Sequence, residues 1–441
     1  MLMRPKSFTA GLAALSALMM AALACGGSEA APTGAPRVIT STPLPAGPTP
    51  TLDPSIPSGV NVIGVAGMQL GSSNALALDE NNDPLVAYVA RDPNGDGDVA
   101  DAAVNFTRWD RAEANWVPAV TIATTGHPDL DGAHQIKLAY DPGQKTLGLV
   151  YVTAQGETKF AVSSDQGATW TSEVVQGANH QSLGAIQSPQ LVMTNSQIYL
   201  ALNGFDLAGA LLLTRAGNSG PFTVETPPMT EGMGGLTVAP VGLALDATGA
   251  PILTYWQWPL DGAQAQTLAL WRRGDPTARV IADNRQQSPE GLSTYIAING
   301  QNQVVTFNGN LDGGQHTLWY VVSTDGGARW TAPEKLPQDG EEYPTNTRAL
   351  AIDAQGRAAL TYDFAFGNMD TSRCGRPKLV RSNDLKNWRA CSPDTDRTIT
   401  NGADIGASTL TLDTNGKVWM LFNNYYRTDI FAQGLWLWRE P

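Results

Sequence analysis

The stretch RDPNGDGDVAD at residues 91–101 concentrates hard oxygen donors: Asp92, Asn94, Asp96 and Asp98 alternate around glycines that permit a tight loop. Donors of that type and spacing suit calcium, which takes about six to eight oxygens. A twelve-residue calcium loop would carry a bidentate acid at its twelfth place, where Ala103 stands, so Asp101 is left to close the shell. Calcium there would stiffen the loop rather than catalyse. The alternative is an unliganded acidic loop.

Other residues with chemistry in them are spread along the chain. Asp129, Asp131, Glu231, Glu290, Glu341, Glu342 and Asp404 are acids, and two facing carboxylates, one with a raised pKa, are what glycoside hydrolysis needs. Sequence does not supply their separation, and surface carboxylates are expected in so acidic a chain. His134 and His180 fall at equivalent points of adjacent repeats, as a shared ligand pair or as two unrelated histidines. Arg91, Arg285, Arg348, Arg373, Arg376 and Arg427 are candidate anion holders, and EEYPTNTR (341–348) puts Glu342, Tyr343 and Arg348 in one connection. Trp256, Trp258, Phe364, Phe366, Tyr425 and Tyr426 offer flat apolar faces on which sugars or protein partners stack, unless they cap the core.

What positions these residues is a repeat. LALDENNDPLVAY (76–88), LAYDPGQKTLGLVY (138–151), LALDATGAPILTY (243–255), IAINGQNQVVTF (296–307), LAIDAQGRAALTY (350–362) and LTLDTNGKVWMLF (410–422) share one plan, with LVMTNSQIYLAL (191–202) as a weaker copy. Each reads as strand, tight turn, strand, with the acid or Asn and the Gly serving the turn. A third strand such as TKFAVS, TLWYVVS or PKLVRS follows, then a fourth such as SEVVQ. Seven units of about fifty-five residues predict an all-β chain, a seven-bladed β-propeller of four-stranded blades, with six blades as the alternative. The last unit stops at GLWLWREP after three strands, and VNVIGVAG (60–67) is a spare strand before the first. Pairing the two would close the ring.

Between third and fourth strands stand SSDQGATW (163–170) and STDGGARW (323–330). This phrase resembles the Asp-box, S-x-D-x-G-x-x-W, of the sialidase-like (BNR repeat) propellers, matched by Ser163, Asp165, Gly167 and Trp170 and by Ser323, Asp325, Gly327 and Trp330. SNDLKNW is one residue shorter and is similar to the S-x-D-L-x-x-W turn of five-bladed glycosidase propellers, through Ser382, Asp384 and Trp388. RWDRAEANW keeps Trp116, and TRAGNSGPF puts Phe222 in the aromatic place. Short Ser and Asp side chains bond a turn backbone, Gly accepts positive φ, and the aromatic packs beneath, so the boxes are architectural marks. The resemblance implies that they lie opposite the active face. That face is then built from the blade-to-blade connections and second-to-third loops, where the candidates above lie.

If the chain is an enzyme, the resemblance implies a glycoside hydrolase of exo-sialidase type acting on terminal sugars: three arginines around a carboxylate, a Tyr with a Glu, and an acid/base Asp. Glu342, Tyr343 and Arg348 are its weak catalytic candidates, and the usual R-I-P motif is missing from this sequence. The reading favoured is a non-catalytic surface protein that recognises a glycan or extracellular protein on its loop-rich face. Its ligand-binding candidates are Asp129, Asp131, His134, His180, Glu231, Trp256, Trp258, Arg285, Glu290, Asp404, Tyr425, Tyr426 and Arg427.

The N-terminus reads as an export signal over residues 1–24, with Arg4 and Lys6 before a short apolar run. AALAC resembles a bacterial lipobox, which implies lipidation of Cys25 and attachment to the cell surface, with an ordinary A-x-A cleavage site as the other reading. Residues 25–58 form a Pro/Thr-rich, disordered linker, and 59–441 the propeller. Cys374 and Cys391 remain as an even pair, which suits one disulfide in an exported chain. Of the residues, 16% are charged, and the formal net charge of −13 argues against nucleic acid as a partner. A monomer is expected, touching membrane only through its lipid.

Overall fold

The computed structural model describes residues 59–63, 69–91, 103–124, 136–153, 157–176, 186–204, 209–236, 240–260, 266–284, 293–312, 317–337, 343–365, 379–391, 403–426 and 432–440. Among them there are thirty strands and no helix. Apart from β1 (Gly59–Ile63), they group in chain order. Blade 1 holds β2 (Gln69–Leu78), β3 (Pro84–Arg91), β4 (Ala103–Asp110), the short β5 (Asn115–Trp116) and β6 (Val120–Thr124). Blade 2 holds β7 (Lys137–Asp141), β8 (Thr146–Val152), β9 (Thr158–Ser163) and β10 (Thr171–Val174). Blade 3 holds β11 (Ile186–Thr194), β12 (Gln197–Gly204), β13 (Leu211–Ala216) and β14 (Thr223–Glu225). In blade 4 the inner strand is split into β15 (Met233–Leu236) and β16 (Gly242–Leu245), both paired with β17 (Pro251–Pro259), followed by β18 (Gln266–Arg272) and β19 (Arg279–Asn284). Blade 5 holds β20 (Thr294–Asn299), β21 (Asn302–Gly309), β22 (Thr317–Ser323) and β23 (Glu334–Lys335). Blade 6 holds β24 (Tyr343–Ile352), β25 (Ala358–Ala365), β26 (Leu379–Ser382) and β27 (Trp388–Cys391). Blade 7 holds β28 (Ala403–Leu412), β29 (Val418–Tyr426) and β30 (Ala432–Arg439).

Blade 7 is completed by the first strand of the chain. β1 lies antiparallel to β30 with Gly59 opposite Arg439 and Ile63 opposite Leu435, so the ladder that would otherwise end at an open edge is capped. The innermost strands touch their neighbours in succession, β2 to β7, β11, β16, β20, β24 and β28, and β28 touches β2 again. The ring of seven four-stranded blades is therefore closed, as the repeat predicts.

The ring has no single core. Seven apolar clusters lie one at each junction between blades, because successive side chains of a strand point to opposite faces and both faces of a blade are covered. In β2, Leu76 joins the cluster shared with Leu421 and Leu437 of blade 7, and Ala75 joins the one shared with Leu138 and Leu149 of blade 2. Burial on both faces explains why the second strands, such as PLVAYVA, read as unbroken apolar runs. Each junction buries several large side chains, each worth about 1.5–3 kcal/mol relative to exposure.

Candidate functional site

The two ends of the ring are built differently. At one end lie the turns between first and second strands and the hairpins between third and fourth. In the turns, one carboxylate oxygen of Asp79, Asp246, Asp353 or Asp413 accepts the N–H groups two and four residues on, at 2.8–2.9 Å. The repeated acids are turn fasteners.

The box hairpins use the same economy. Ser163 Oγ accepts from Gly167 N at 2.9 Å and donates to Asp165 at 2.7 Å, while Asp165 accepts from the Thr169 N–H at 2.9 Å and its hydroxyl at 2.6 Å. The Thr169 hydroxyl and N–H, with Ser163, pull the Asp165 carboxyl down to about 2. Ser323 and Asp325 repeat the geometry with Gly327 N and Arg329 N. In the shorter SNDLKNW, Leu385 takes the left-handed conformation at φ 61° and Asp384 accepts from Lys386 N and Asn387 N instead. Those Asn387 and Lys386 donors hold its carboxyl well below the usual range.

The aromatic that ends each hairpin packs on the third strand of the preceding blade. Trp170 meets Phe106 at 5.2 Å between ring centroids, Phe222 meets Phe160 at 5.8 Å, and Trp388 meets Tyr320 at 5.3 Å. Trp116, in the most eroded copy, instead packs against Trp109 of its own blade at 5.7 Å. These aromatics are wedges between blades or within one, and none presents a catalytic group.

Polar links tie the same end around the ring. Lys145 pairs with Glu80, Ser196 N donates to Asp141, Arg273 pairs with Glu225, Arg357 donates to Asn415 O, and Asn82 and Thr414 bond each other reciprocally. Two grooves of about 520 and 560 Å³ open here beside the box hairpins. In the first, Asp325 and Asp384 are already held by hairpin N–H groups and Glu334 accepts from the Tyr320 hydroxyl, and Asp275 is the acid of the second.

The opposite end is where the inner strands begin. Lys137 is the first residue of β7, four positions from the turn acid Asp141. Its Nζ lies 5.9 Å from the centroid of the Tyr295 ring on β20. Blade 5 stands across the ring from blade 2, so the lysine reaches over the axis. Arg348 of blade 6, the other blade facing blade 2, repels it: burial first, then this guanidinium, lowers the Lys137 pKa to about 8. Arg348 lies at an irregularity in β24, where Thr347 and Ala349 oppose the consecutive residues Tyr362 and Thr361 and leave it as the extra residue. Such bulges re-aim side chains. Thr347 meets Thr306 of blade 5 at 2.9 Å, tying down the strand just before that step. Two cations and an aromatic from three blades thus gather at the axis beneath the loop-rich end.

Arg348 is the one sequence candidate brought to this cluster. Trp256 is a correction: it is buried at 1% exposure between blades 4 and 5, with its ring 5.8 Å from Phe307, and offers no face to a sugar. Trp258 is half-buried and pairs with Gly235, and Glu231 is exposed in the turn before β15. Asp404 stands opposite Tyr425 in the β28–β29 ladder, next to Tyr426 opposite Ala403, and Tyr343 opens β24. Asp92, Asn94, Asp96, Asp98, Asp101, Asp129, Asp131, His134, His180, Arg285, Glu290, Glu341, Glu342, Arg373, Cys374, Arg376, Arg427 and Cys25 lie outside the described residues. Among the described residues no group of three His, Cys, Asp or Glu could hold a metal. Lys137 and Tyr295 were missed, although a lysine inside the apolar stretch IKLAY was the available signal.

No protein-family model matches this sequence, and no curated protein matches it. Solved structures do match its fold. An ulvan lyase of polysaccharide lyase family PL25 superposes with a TM-score of 0.55 at 11% identity, over 85% of this chain and 95% of that one. The Hadza microbial sialidase Hz136 gives 0.42 at 12% identity, and this chain covers 65% of the sialidase's length while 84% of its own is matched. AofleA from Arthrobotrys oligospora gives 0.44 at 12% identity, over 76% of this chain and 90% of that one. At these identities the likeness is one of fold, and it is carried by the ulvan lyase, whose structure superposes along most of both chains.

Proposed function

We propose that this chain is a surface-held propeller that recognises a glycan on its loop-rich end without turning it over. The observation that carries the reading is the contrast between the ends. At the turn end, acids and hairpin groups bond one another and the neighbouring blades, whereas at the loop end Lys137 and Arg348 are gathered on the axis beside Tyr295. Burying a lysine is unfavourable for folding alone and is typical of binding sites. The ulvan lyase with which the fold superposes works on a polysaccharide, which supports a saccharide over a protein partner. In this reading Cys25 carries lipid and residues 26–58 hold the propeller off the membrane.

A second reading, an exo-glycosidase of sialidase type, is favoured by one feature: Arg348 follows Tyr343 on the same inner strand. The purified propeller, residues 59–441, should bind members of a glycan array while releasing little from a panel of fluorogenic glycosides that includes a sialoside. Rapid sialoside release that is lost in Arg348→Ala would overturn the first reading in favour of the second. An array without any binder would sink both.

A further inference from the structure

Gln303, near the start of β21, is out of place at the turn end. It stands opposite the box serine Ser323, where blades 2 and 6 set Leu147 and Ala358 opposite Ser163 and Ser382. The side chain is buried at 1% exposure, and its Oε1 has no hydrogen-bond partner. It ends against the box hairpin of its own blade, so that a Cβ at Gly327 would lie 2.9 Å from that oxygen. An apolar residue serves the fold at this place in the other blades, and a buried carboxamide oxygen without a partner weakens it. The residue calls for a partner from outside the fold.

The same side chain lines the groove of about 560 Å³ between blades 4 and 5. A missing aromatic leaves that groove open. The third strands of blades 1, 2 and 5 offer Phe106, Phe160 and Tyr320 to the aromatic of the next hairpin, whereas blade 4 has Leu270 at the equivalent place, opposite Thr254, and Trp330 packs on the cluster that contains it. Leu270, Ile252 and Pro276 give the groove an apolar side. Its cations are engaged, because Arg272 pairs with Asp246 and Arg279 donates to the Gly327 and Ala328 carbonyls. Asp275 is exposed and acts on Arg272 only through space, which leaves its carboxylate open to a ligand.

We infer that this groove binds a neutral, polyhydroxylated ligand of about one or two sugar rings, with Gln303 as its principal polar contact. Hydroxyls are the groups that this wall selects. A hydroxyl accepts from the carboxamide NH2 or donates to its oxygen, whichever end the side chain turns outward, and donates to Asp275 as well. A carboxylate answers only the NH2 and is repelled by Asp275, while an ammonium is repelled by Arg272 and Arg279. The apolar side takes the C–H face of the ring. This site lies at the opposite end from the loops and goes beyond the reading proposed for them.

Isotopic labelling of the glutamine side-chain amides, followed by nuclear magnetic resonance, tests it, the Gln303 signal being the one absent from Gln303→Leu. Titration of the protein with methyl glucoside, methyl galactoside and methyl mannoside is expected to move that signal saturably, in the millimolar range, with at least one of the three. Glucuronate and protonated glucosamine should act at least tenfold more weakly. Leu270→Phe, which supplies the aromatic of the other junctions, is expected to fill the groove and abolish the shift, and Gln303→Leu to melt at or above the wild-type temperature. A Gln303 signal that none of the glycosides moves, or that moves equally in Leu270→Phe, overturns the site. So does a Gln303→Leu protein that melts below wild type, because the carboxamide then serves the fold through an ordered water. Neither result touches the loop-rich end, whose glycan reading stands or falls on the array and on Arg348→Ala.

Discussion

Arg279, at the start of the outermost strand of blade 4, donates to the carbonyl oxygens of Gly327 and, at 3.1 Å, Ala328 in the box hairpin of blade 5. In the box of blade 2 the corresponding carbonyl, Gly167 O, takes the indole N–H of Trp170 at 3.0 Å. Trp330 Nε1 is consequently buried without a hydrogen-bond partner. Two copies of one motif therefore satisfy the same backbone oxygen by different donors, one local and one from the next blade. A group held in place for chemistry would not be interchangeable in this way, but a carbonyl that only needs a donor is.

Replacing Arg279 by Ala should accordingly cost little. The guanidinium is largely exposed, and the freed Gly327 carbonyl can turn to the Trp330 indole. A loss of about 0.5–1.5 kcal/mol is expected from a thermal or urea melt, with glycan binding unchanged. A loss of binding in this variant would move the functional end to the turn side of the ring.

The box of blade 2 should be far less tolerant at its centre. Gly167 has φ 86°, and a Cβ there would lie 2.0 Å from the Phe106 ring, the partner of Trp170. Gly167→Ala must strain the hairpin and push blade 1 from blade 2, so a destabilisation above about 2 kcal/mol is expected. Ser163→Ala strands the buried Gly167 N–H and should cost about 1–3 kcal/mol. Circular dichroism melts check both, and a near-neutral Gly167→Ala would show that the hairpin is not wedged as described.

The repeat was legible because its cause is local. Apolar runs buried on both faces, an acid whose oxygen reaches the N–H groups two and four residues on, and a hairpin phrase all fit inside fifty-odd residues. Closure was legible as well, since one strand was spare at the start and one missing at the end. The axial cluster was not. Lys137, Tyr295 and Arg348 come from blades 2, 5 and 6, and only the curvature of the whole ring decides which inner strands face one another. Trp256 misled for a related reason: in YWQW, Tyr255 joins the cluster with blade 3 and Trp256 the cluster with blade 5, so alternation no longer separates inside from outside.

Closure makes its own prediction. A chain that begins at residue 67 leaves β30 as an open edge, with the partly exposed Trp436 beside it. Such a protein should melt well below the 59–441 propeller and should self-associate in sedimentation velocity. Adding the peptide 57–66 back should restore the monomer. Equal melting temperatures for the two lengths would mean that β1 contributes nothing to the ring.

Lys137 should also reveal itself through stability. Its folded pKa of about 8 lies below the value of about 10.5 it has when unfolded, so between those pH values the unfolded chain binds more protons and stability rises with pH. Below pH 8 the lysine remains charged in both states and the full cost of burying it is present. Lys137→Met removes that cost, and its loss of the Tyr295 contact, on the order of 1 kcal/mol, is the smaller quantity. The variant should therefore be more stable than wild type at pH 7, by about 1–3 kcal/mol, with the gap closing as pH rises from about 8 towards 10.5. Urea midpoints at pH 7, 8.5 and 10 measure it. A Met variant that is less stable at pH 7, or a gap that does not change with pH, would mean that the Lys137 ammonium is solvated in the folded ring rather than buried.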